Sequence, residues 1–521
     1  MPFGLITQSF RVLPILFVLI IALFVMPLGI SAHEPHECSA GFPDEPVLSG
    51  HISHKDVTSG KLTFDEIFEV GKEQFSAIFN TCDGQGRPAT TGAGEKRAPD
   101  ESAFIRTSAP DSSACAGCHN QPRPGGGGDF VANVFVLAQE LDPVTESVSA
   151  EFSNERNTLG MFGAGPIEML AREMTAELQT IRDTAIREAR DKNISVTKSL
   201  ATKGVNFGHL TAWPNGSVDF SGRAGVDLDL IIKPFHQAGV VVSLREFTDN
   251  AFNHHHGMQA EERFDLNPAK GKDFDEDGIK HELTVGDITA VTIFQAALAT
   301  PGRLLPADPA ARAAVSQGED LFEQIGCTTC HVPAMKLKSR FFTEPNPFNP
   351  EGTFRDTSRI FSFDLTQTGD QPRLARDGEG AIVRAYTDLK RHNLCDDPDH
   401  PNPIRFYCNE QLAQKRPDQD DKPGTEFFLT RKLWDVGNSA PYGHRGDLTT
   451  ITEAILVHGG EARPSRDAFV ALCVEEQAAI VKFLKTLQVL PPGSDPVIVE
   501  GTESGSTEAL IRERSLSGTD Q

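Results

Sequence analysis

"ARAAVSQGEDLFEQIGCTTCH", residues 311–331, decides how the rest of the chain is read. Ala314, Leu321, Phe322 and Ile325 fall on one stripe at helical spacing, and Gly326 ends the pattern. The predicted helix therefore stops just before two thiols, Cys327 and Cys330, and an imidazole, His331. Two cysteines three positions apart can add to the two vinyl groups of one haem, and the residue that follows can reach its iron from the proximal side. A second pentad, "CAGCH", supplies Cys115, Cys118 and His119. Zinc sites and redox-active dithiols also use CxxC, but neither requires histidine directly after each pair. The expectation is two covalently attached haem c groups, bound through these cysteines and ligated by His119 and His331.

Near the C-terminus "VEEQAAIVKFLKTL", residues 474–487, repeats the amphipathic pattern with Ile480, Val481, Phe483, Leu484 and Leu487 largely on one side. A helix before the attachment site and one at the end suit a small helical cytochrome c domain. The first site is less regular: "FDEIFEVGKEQFSAIF", residues 64–79, is separated from Cys115 by a Gly/Pro/Ser-rich stretch over 83–113. The expected fold is mainly α, with two cytochrome c-like haem domains, long inserted loops and helices, and little β. The expected divisions are a signal peptide at 1–32, an N-terminal haem domain with a long insertion at 33–300, a C-terminal haem domain at 301–492, and a disordered tail at 493–521.

The first 32 residues carry a single charge, Arg11, then an apolar run from Val12 to Met26 and the small-residue exit "GISA". This reads as a secretory signal cleaved after Ala32, which puts the chain in the periplasm or otherwise outside the cytoplasm. A retained anchor is the alternative, but the run is interrupted by Pro14 and is shorter than the roughly 20 residues a span needs, so no stable membrane span is expected after cleavage. A net charge of -24 repels phosphate backbones and argues against a nucleic-acid partner.

Beyond the second pentad, "FFLTRKLWDVGNSAPYGHRGDLTTITEAILVHGGEA", residues 427–462, resembles the C-terminal domain of the bacterial di-haem cytochrome c peroxidase superfamily. There an "APY-x-H-x-G" turn precedes a helix carrying the distal ligand of one haem, a position that falls here on His458. More of the chain resembles a broader family of di-haem c-type oxidoreductases, described as peroxidases or thiol oxidoreductases. The stretches that carry this are "CAGCHNQPRPGGGGD" (115–129), "GPIEMLAREM" (165–174), "KPFHQAGVVVSLREF" (233–247), "DFDEDGIKHELTVGDITAVTIFQA" (273–296) and 427–462. The resemblance implies peroxidase-type chemistry. A small donor protein of cytochrome or cupredoxin type would feed the His331/His458 haem, and peroxide or another small oxidant would react at the first haem. Two alternatives stay open: a non-catalytic electron carrier, and an enzyme that oxidises a partner protein. No histidine lies between His119 and His209, so the first haem has either an open distal face or a ligand from the insertion.

"NAFNHHHGMQAEER", residues 250–263, offers such ligands. Ser243 and Glu246 form a capping-box pattern, and Gly257 is a natural stop. A helix that continues through the triplet turns His255 toward the apolar face, whereas one that frays frees His256. His256 is taken as the candidate ligand, with Met258 and His255 behind it, and the competing role is capping of the last carbonyls. His236 and Glu168 are the acid–base candidates, with Glu168 alternatively a favourable charge at a helix N-terminus. Asp273, Asp275, Asp277 and Glu282 have the alternation of a Ca²⁺ loop, or of a solvated acidic turn. Cys395 with Cys408 and Cys38 with Cys82 are candidate disulfides, and Cys473 is expected to be a buried thiol. Trp434 is read as core packing, with an inter-haem electron path as the alternative.

Overall fold

The computed structural model describes residues 45–85, 112–128, 131–135, 153–265, 281–408 and 426–500. The signal peptide, Cys38, Asp273, Asp275, Asp277 and the tail beyond 500 lie outside the described residues. The helices that organise the chain are α1 (Phe64–Ser76), α2 (Ala164–Lys192), α3 (Leu244–Ala251), α4 (Val285–Ala296), α5 (Pro309–Gln324) and α6 (Val474–Lys485). No described helix is long and apolar enough to cross a membrane.

Helix α5 begins where Asp308 accepts a hydrogen bond from Ala311 N at 2.7 Å and Pro309 presets the first turn. Its buried face is Val315, Gly318, Leu321 and Phe322, one step round from the stripe that Ala314 suggested. That face crosses α6 so closely that a Cβ on Gly318 would lie 1.9 Å from the Ala479 carbonyl oxygen. Four residues on in each helix, the Phe322 and Phe483 rings meet edge to face at 5.6 Å.

The N-terminal half repeats this crossing. A Cβ on Gly71 of α1 would lie 2.1 Å from the Ala290 oxygen of α4, and four residues on Phe75 and Phe294 meet at 5.1 Å. "GKEQF" (71–75) and "GEDLF" (318–322) thus play one role against "AVTIF" (290–294) and "AIVKF" (479–483). Both attachment sites sit beside such a crossing.

The expectation of a mainly α fold does not hold, because only 36% of the interpretable residues are helical and 16% are strand. The insertion after α2 is an antiparallel sheet of β1 (Val196–Thr202), β2 (Val205–Ala212) and β3 (Val218–Asp219), in sequential order. Leu200, Phe207, Leu210 and Ala212 point inward into the core that also holds Leu178, Ala185 and Ala189 of α2. Val131–Phe135 pairs with Ser153–Asn157, and several other strands are only three or four residues long: Met335–Leu337 with Gly380–Val383 and Ala375–Asp377, Phe341–Glu344 with Phe361–Asp364, and Arg391–Asn393 with Phe427–Leu429. Runs that short show no readable alternation, so they pass in a sequence for loop. Val497–Val499, within the stretch read as a disordered tail, pairs in parallel with Gly302–Leu305.

One core crosses the expected boundary at residue 300, joining α2 residues to Met335, Leu337, Phe342, Leu389 and Trp434. A second core backs the first attachment site, with Phe75, Phe79, Phe252, Met258, Val291 and Phe294. A third backs the other, with Phe322, Tyr386, Phe469, Ile480, Phe483 and Leu484.

Gly71→Ala and Gly318→Ala each force two helix backbones apart. Each substitution is expected to lower stability by about 2 kcal/mol, a typical overpacking cost, measured by chemical denaturation.

Candidate functional site

At the second pentad, a single 3-10 turn over Cys327–Thr329 brings His331 N to the Cys327 oxygen at 3.0 Å. His331 Nδ1 faces the Tyr386 carbonyl oxygen at 3.0 Å. His458 follows the short helix Ile451–Leu456, and its Nδ1 faces the Ala454 oxygen at 2.6 Å. Burial drives the His331 pKa down to about 4, and the nearby His458 lowers it further. His458 is itself depressed by burial. Two neutral imidazoles, each donating Nδ1–H to a backbone carbonyl, keep Nε2 for a metal.

The loop that covers His458 is cross-linked. Cys395 and Cys408 form a disulfide, and Tyr407 sets its ring edge to face on His458 at 6.1 Å. Asp396 accepts from Ile404 N and from Gly460 N, both at 2.7 Å, and pairs with Arg463. Cys82 is also disulfide-bonded. Cys473, expected to be buried, is exposed at the N-cap of α6, because only the residues after it turn inward.

Cys330, Asp388 and His392 bring potential metal-binding atoms within 4.8 Å of one another. Both His392 nitrogens already face carboxylates, Asp388 at 2.8 Å and Glu461 at 2.7 Å. Against burial, its hydrogen bonds, Asp388 first, push its pKa up to about 11, so it is an imidazolium clamp rather than a ligand.

At the first pentad, His119 N bonds to the Cys115 oxygen at 3.0 Å and His119 Nδ1 faces the Gly126 oxygen at 3.3 Å. The glycine run is required here: a Cβ on Gly126 would meet the Gln121 oxygen at 1.8 Å, and one on Gly128 the Cys118 oxygen at 2.1 Å. Burial again takes the His119 pKa to about 4. Cys115, Cys118 and His119 open onto a cavity of about 320 Å³, with Arg263, Arg431 and Lys432 also in its wall. Burial lowers the basicity of all three cations, and Lys432 pairs with Asp435 at 2.5 Å. A haem fits this wall: two thiols and a neutral imidazole for attachment and ligation, and buried cations for its two propionates.

The histidine triplet lies in a π-helical turn, Phe252–His256, which continues from α3. His256 is buried, with Nδ1 2.7 Å from the Ser112 oxygen and Nε2 3.4 Å from Cys115 Sγ. It therefore packs at the attachment edge, while His255 also lines the cavity and disfavours a proton on His119. Met258 is core. His236 lines the cavity at a left-handed φ of 67°, and its Nδ1 accepts from Ala238 N at 3.4 Å.

Glu168 is buried away from the cavity lining. Its carboxylate accepts from Leu244 N at 2.8 Å, Asn346 Nδ2 at 2.9 Å and Arg172 Nε at 3.0 Å. Glu246 lines the cavity instead, with Oε2 accepting from Val242 N at 2.6 Å. Burial pushes its pKa up to about 7, with Glu168 adding to the rise and Lys233 opposing it. The capping-box pattern concealed this residue: Ser243 caps α3, but the Glu246 side chain bypasses Ser243 N for Val242 N. Glu282 is buried and accepts from Gln259 N and from Gln259 Nε2.

Residues 404–487 match the family described as "Di-haem oxidoreductase, putative peroxidase". Among curated proteins nothing matches. Among solved structures, a hydrazine synthase of Kuenenia stuttgartiensis pressurised with xenon aligns at 14% identity and a TM-score of 0.32, over 89% of this chain and all of that one. A MauG-like protein associated with microbial copper homeostasis aligns at 18% identity and a TM-score of 0.27, over 53% of this chain and 77% of that one. Likeness at these scores carries no inference for this chain.

Glu168→Gln removes the charge that three donors converge on and leaves Arg172 underpaired. It is expected to cost about 3 kcal/mol in chemical denaturation. Unchanged stability with impaired turnover would instead return Glu168 to a catalytic role.

Proposed function

From the di-haem oxidoreductase match over residues 404–487, we propose that this chain is an exported di-haem c-type oxidoreductase that reduces peroxide, or a small oxidant of similar size, at its N-terminal site. Cys115 and Cys118 would hold one haem covalently with His119 as ligand, and Cys327 and Cys330 the other with His331. The observation that carries the reading is the contrast between the sites. His331 lies near a second neutral histidine under a cross-linked aromatic loop, whereas His119 opens on a cavity that holds a carboxyl of pKa about 7.

Bound haem supplies one-electron chemistry. The His331/His458 pair suits transfer, because neither ligand has to leave. A small cytochrome or cupredoxin-type donor would deliver electrons there, and the strongly acidic chain favours a basic partner surface. Reduction of one peroxide takes two electrons and two protons and yields two waters. Glu246 is suited to take the proton from one peroxide oxygen and return it to the leaving oxygen, since its pKa lies near neutrality. His236 is a second group in the same wall. Arg263, Arg431 and Lys432 would hold the propionates.

Low-temperature EPR of the holoprotein, fully oxidised and half-reduced, tests the contrast. A high-spin ferric signal from the first site in either state is expected, and His458→Ala should abolish the low-spin signal of the second. Low-spin signals alone in both states of the wild type would overturn the peroxidase reading and favour an electron carrier.

Glu246→Gln should lower peroxide turnover about 100-fold. As a base Glu246 acts ionised, so wild-type turnover should rise as pH passes about 7 and fall below it. That limb should vanish in the variant.

A further inference from the structure

Behind the first cavity lies a buried group of acids that outnumbers its cations. Glu168 and Arg172 come from α2, Arg245 and Asp249 from α3, Glu262 from the short helix Glu261–Asp265, and Glu344 from the strand Phe341–Glu344. Arg245 Nη1 holds both Glu262 oxygens at 2.7 and 2.9 Å, and its Nε holds Glu344 at 2.5 Å. Arg172 pairs with Glu168 and lies 3.8 Å from Glu344. Two guanidinium groups thus face four carboxyls in a region closed to water, and charge of that excess is not sustained there without protons.

The geometry identifies where one proton sits. Among the described residues, neither Asp249 oxygen meets an N–H or O–H donor, and the group it hydrogen-bonds is another carboxyl, Glu262. Two carboxylates can bond in this way only if one carries a proton. Glu262 accepts from Arg245 at both oxygens and from Phe354 N at 2.8 Å, which leaves the proton to Asp249. Asp249 is completely buried and lies one helical turn from Glu246, whose side chain reaches the cavity.

We propose that Asp249, sharing a proton with Glu262, is a proton store for the first site, and that it supplies, through Glu246 once that group has finished its base role, one of the two protons consumed per peroxide. The proposal rests on the peroxide-reducing reading. Per turnover, two electrons come from the donor protein and two protons from solvent, and the stored proton is one of these, taken up in advance. Asp249 passes it to Glu246, one turn away on α3, then regains one. The groups that set its affinity are Glu262 across the contact, Arg245 and Glu246 on its own helix, and Glu344 and Glu168 behind Arg245. Burial and Glu262 together hold the Asp249 carboxyl well above the usual range.

Asp249→Asn keeps the shape and the neutrality, so it should fold and bind haem as the wild type does. In the full holoprotein at neutral pH, infrared spectroscopy should show a protonated-carboxyl C=O band that shifts in D₂O and is missing from the variant. The variant's peroxide turnover should fall about tenfold, while reduction of both haems by a chemical reductant stays unchanged. No band removed by Asp249→Asn overturns the shared proton. A removed band with full turnover overturns the delivery role. A wild type that shows the band but turns over no peroxide fails the functional reading and the delivery role together, leaving the shared proton as a fact of structure. Glu246→Gln should lower turnover about 100-fold yet retain the Asp249 band, and loss of that band would show that the proton belongs to Glu246.

Discussion

Close approach of two helix backbones at a single glycine is the constraint on which the support of each CxxCH pentad depends. At Gly71 and at Gly318 there is no room for a Cβ, so α1 lies against α4 and α5 against α6 at carbonyl contact. That distance brings the phenylalanines one turn later into edge contact, and each pair contributes about 1 kcal/mol beyond its burial. It also sets the wall behind His119 and His331. Phe75 stands 6.3 Å from the His119 ring and Phe322 6.2 Å from the His331 ring, so one packing device fixes both.

Given this shared back wall, the two sites differ in what faces them. His331 is met by His458, which is held by Ala454, flanked by Tyr407 and closed over by the loop between Cys395 and Cys408. His119 is met by a cavity whose wall comes from several separate segments, including α3, the π turn and Thr430–Lys432. Trp434 follows one residue further on and is buried against Gly163, whose positive φ and missing Cβ make the space for its ring. Leu433 packs into the C-terminal core, so this short run ties the wall of one site to the support of the other.

What the sequence disclosed was the chemistry with short-range spacing. Both CxxCH pentads, the α5 and α6 helices and the Cys395–Cys408 pair follow from spacing along the chain, whereas His458 came from the family resemblance. The β content did not, because most of the strands are too short to alternate. At the triplet a π turn adds a residue to the cycle, so 3.6-residue phasing does not carry past Ala251, and both His255 and His256 reach the cavity wall. Glu168 and Glu246 were hard to tell apart for a related reason. Each sits near a helix start, where a glutamate has an ordinary local use, and only long-range partners distinguish them: Asn346 anchors the first, and the cavity receives the second. The Gly-x-x-x-Phe pairs were present as letters, but their meaning needs the partner helix more than 150 residues away.

The buried acids connect these observations. Arg172 and Arg245 bind α2 and α3 to the strand Phe341–Glu344, so the network fastens the insertion to the C-terminal half of the chain. A fastening made only for stability would match charges or use apolar side chains, since buried ion pairs seldom outperform well-packed hydrocarbon. Here the carboxyls exceed their partners, and the surplus lies on the helix that also carries Glu246. Each proton that neutralises the surplus makes the network less costly to bury, and each one released makes it more costly. Attachment of the insertion and the protonation state of the network are therefore set by the same residues.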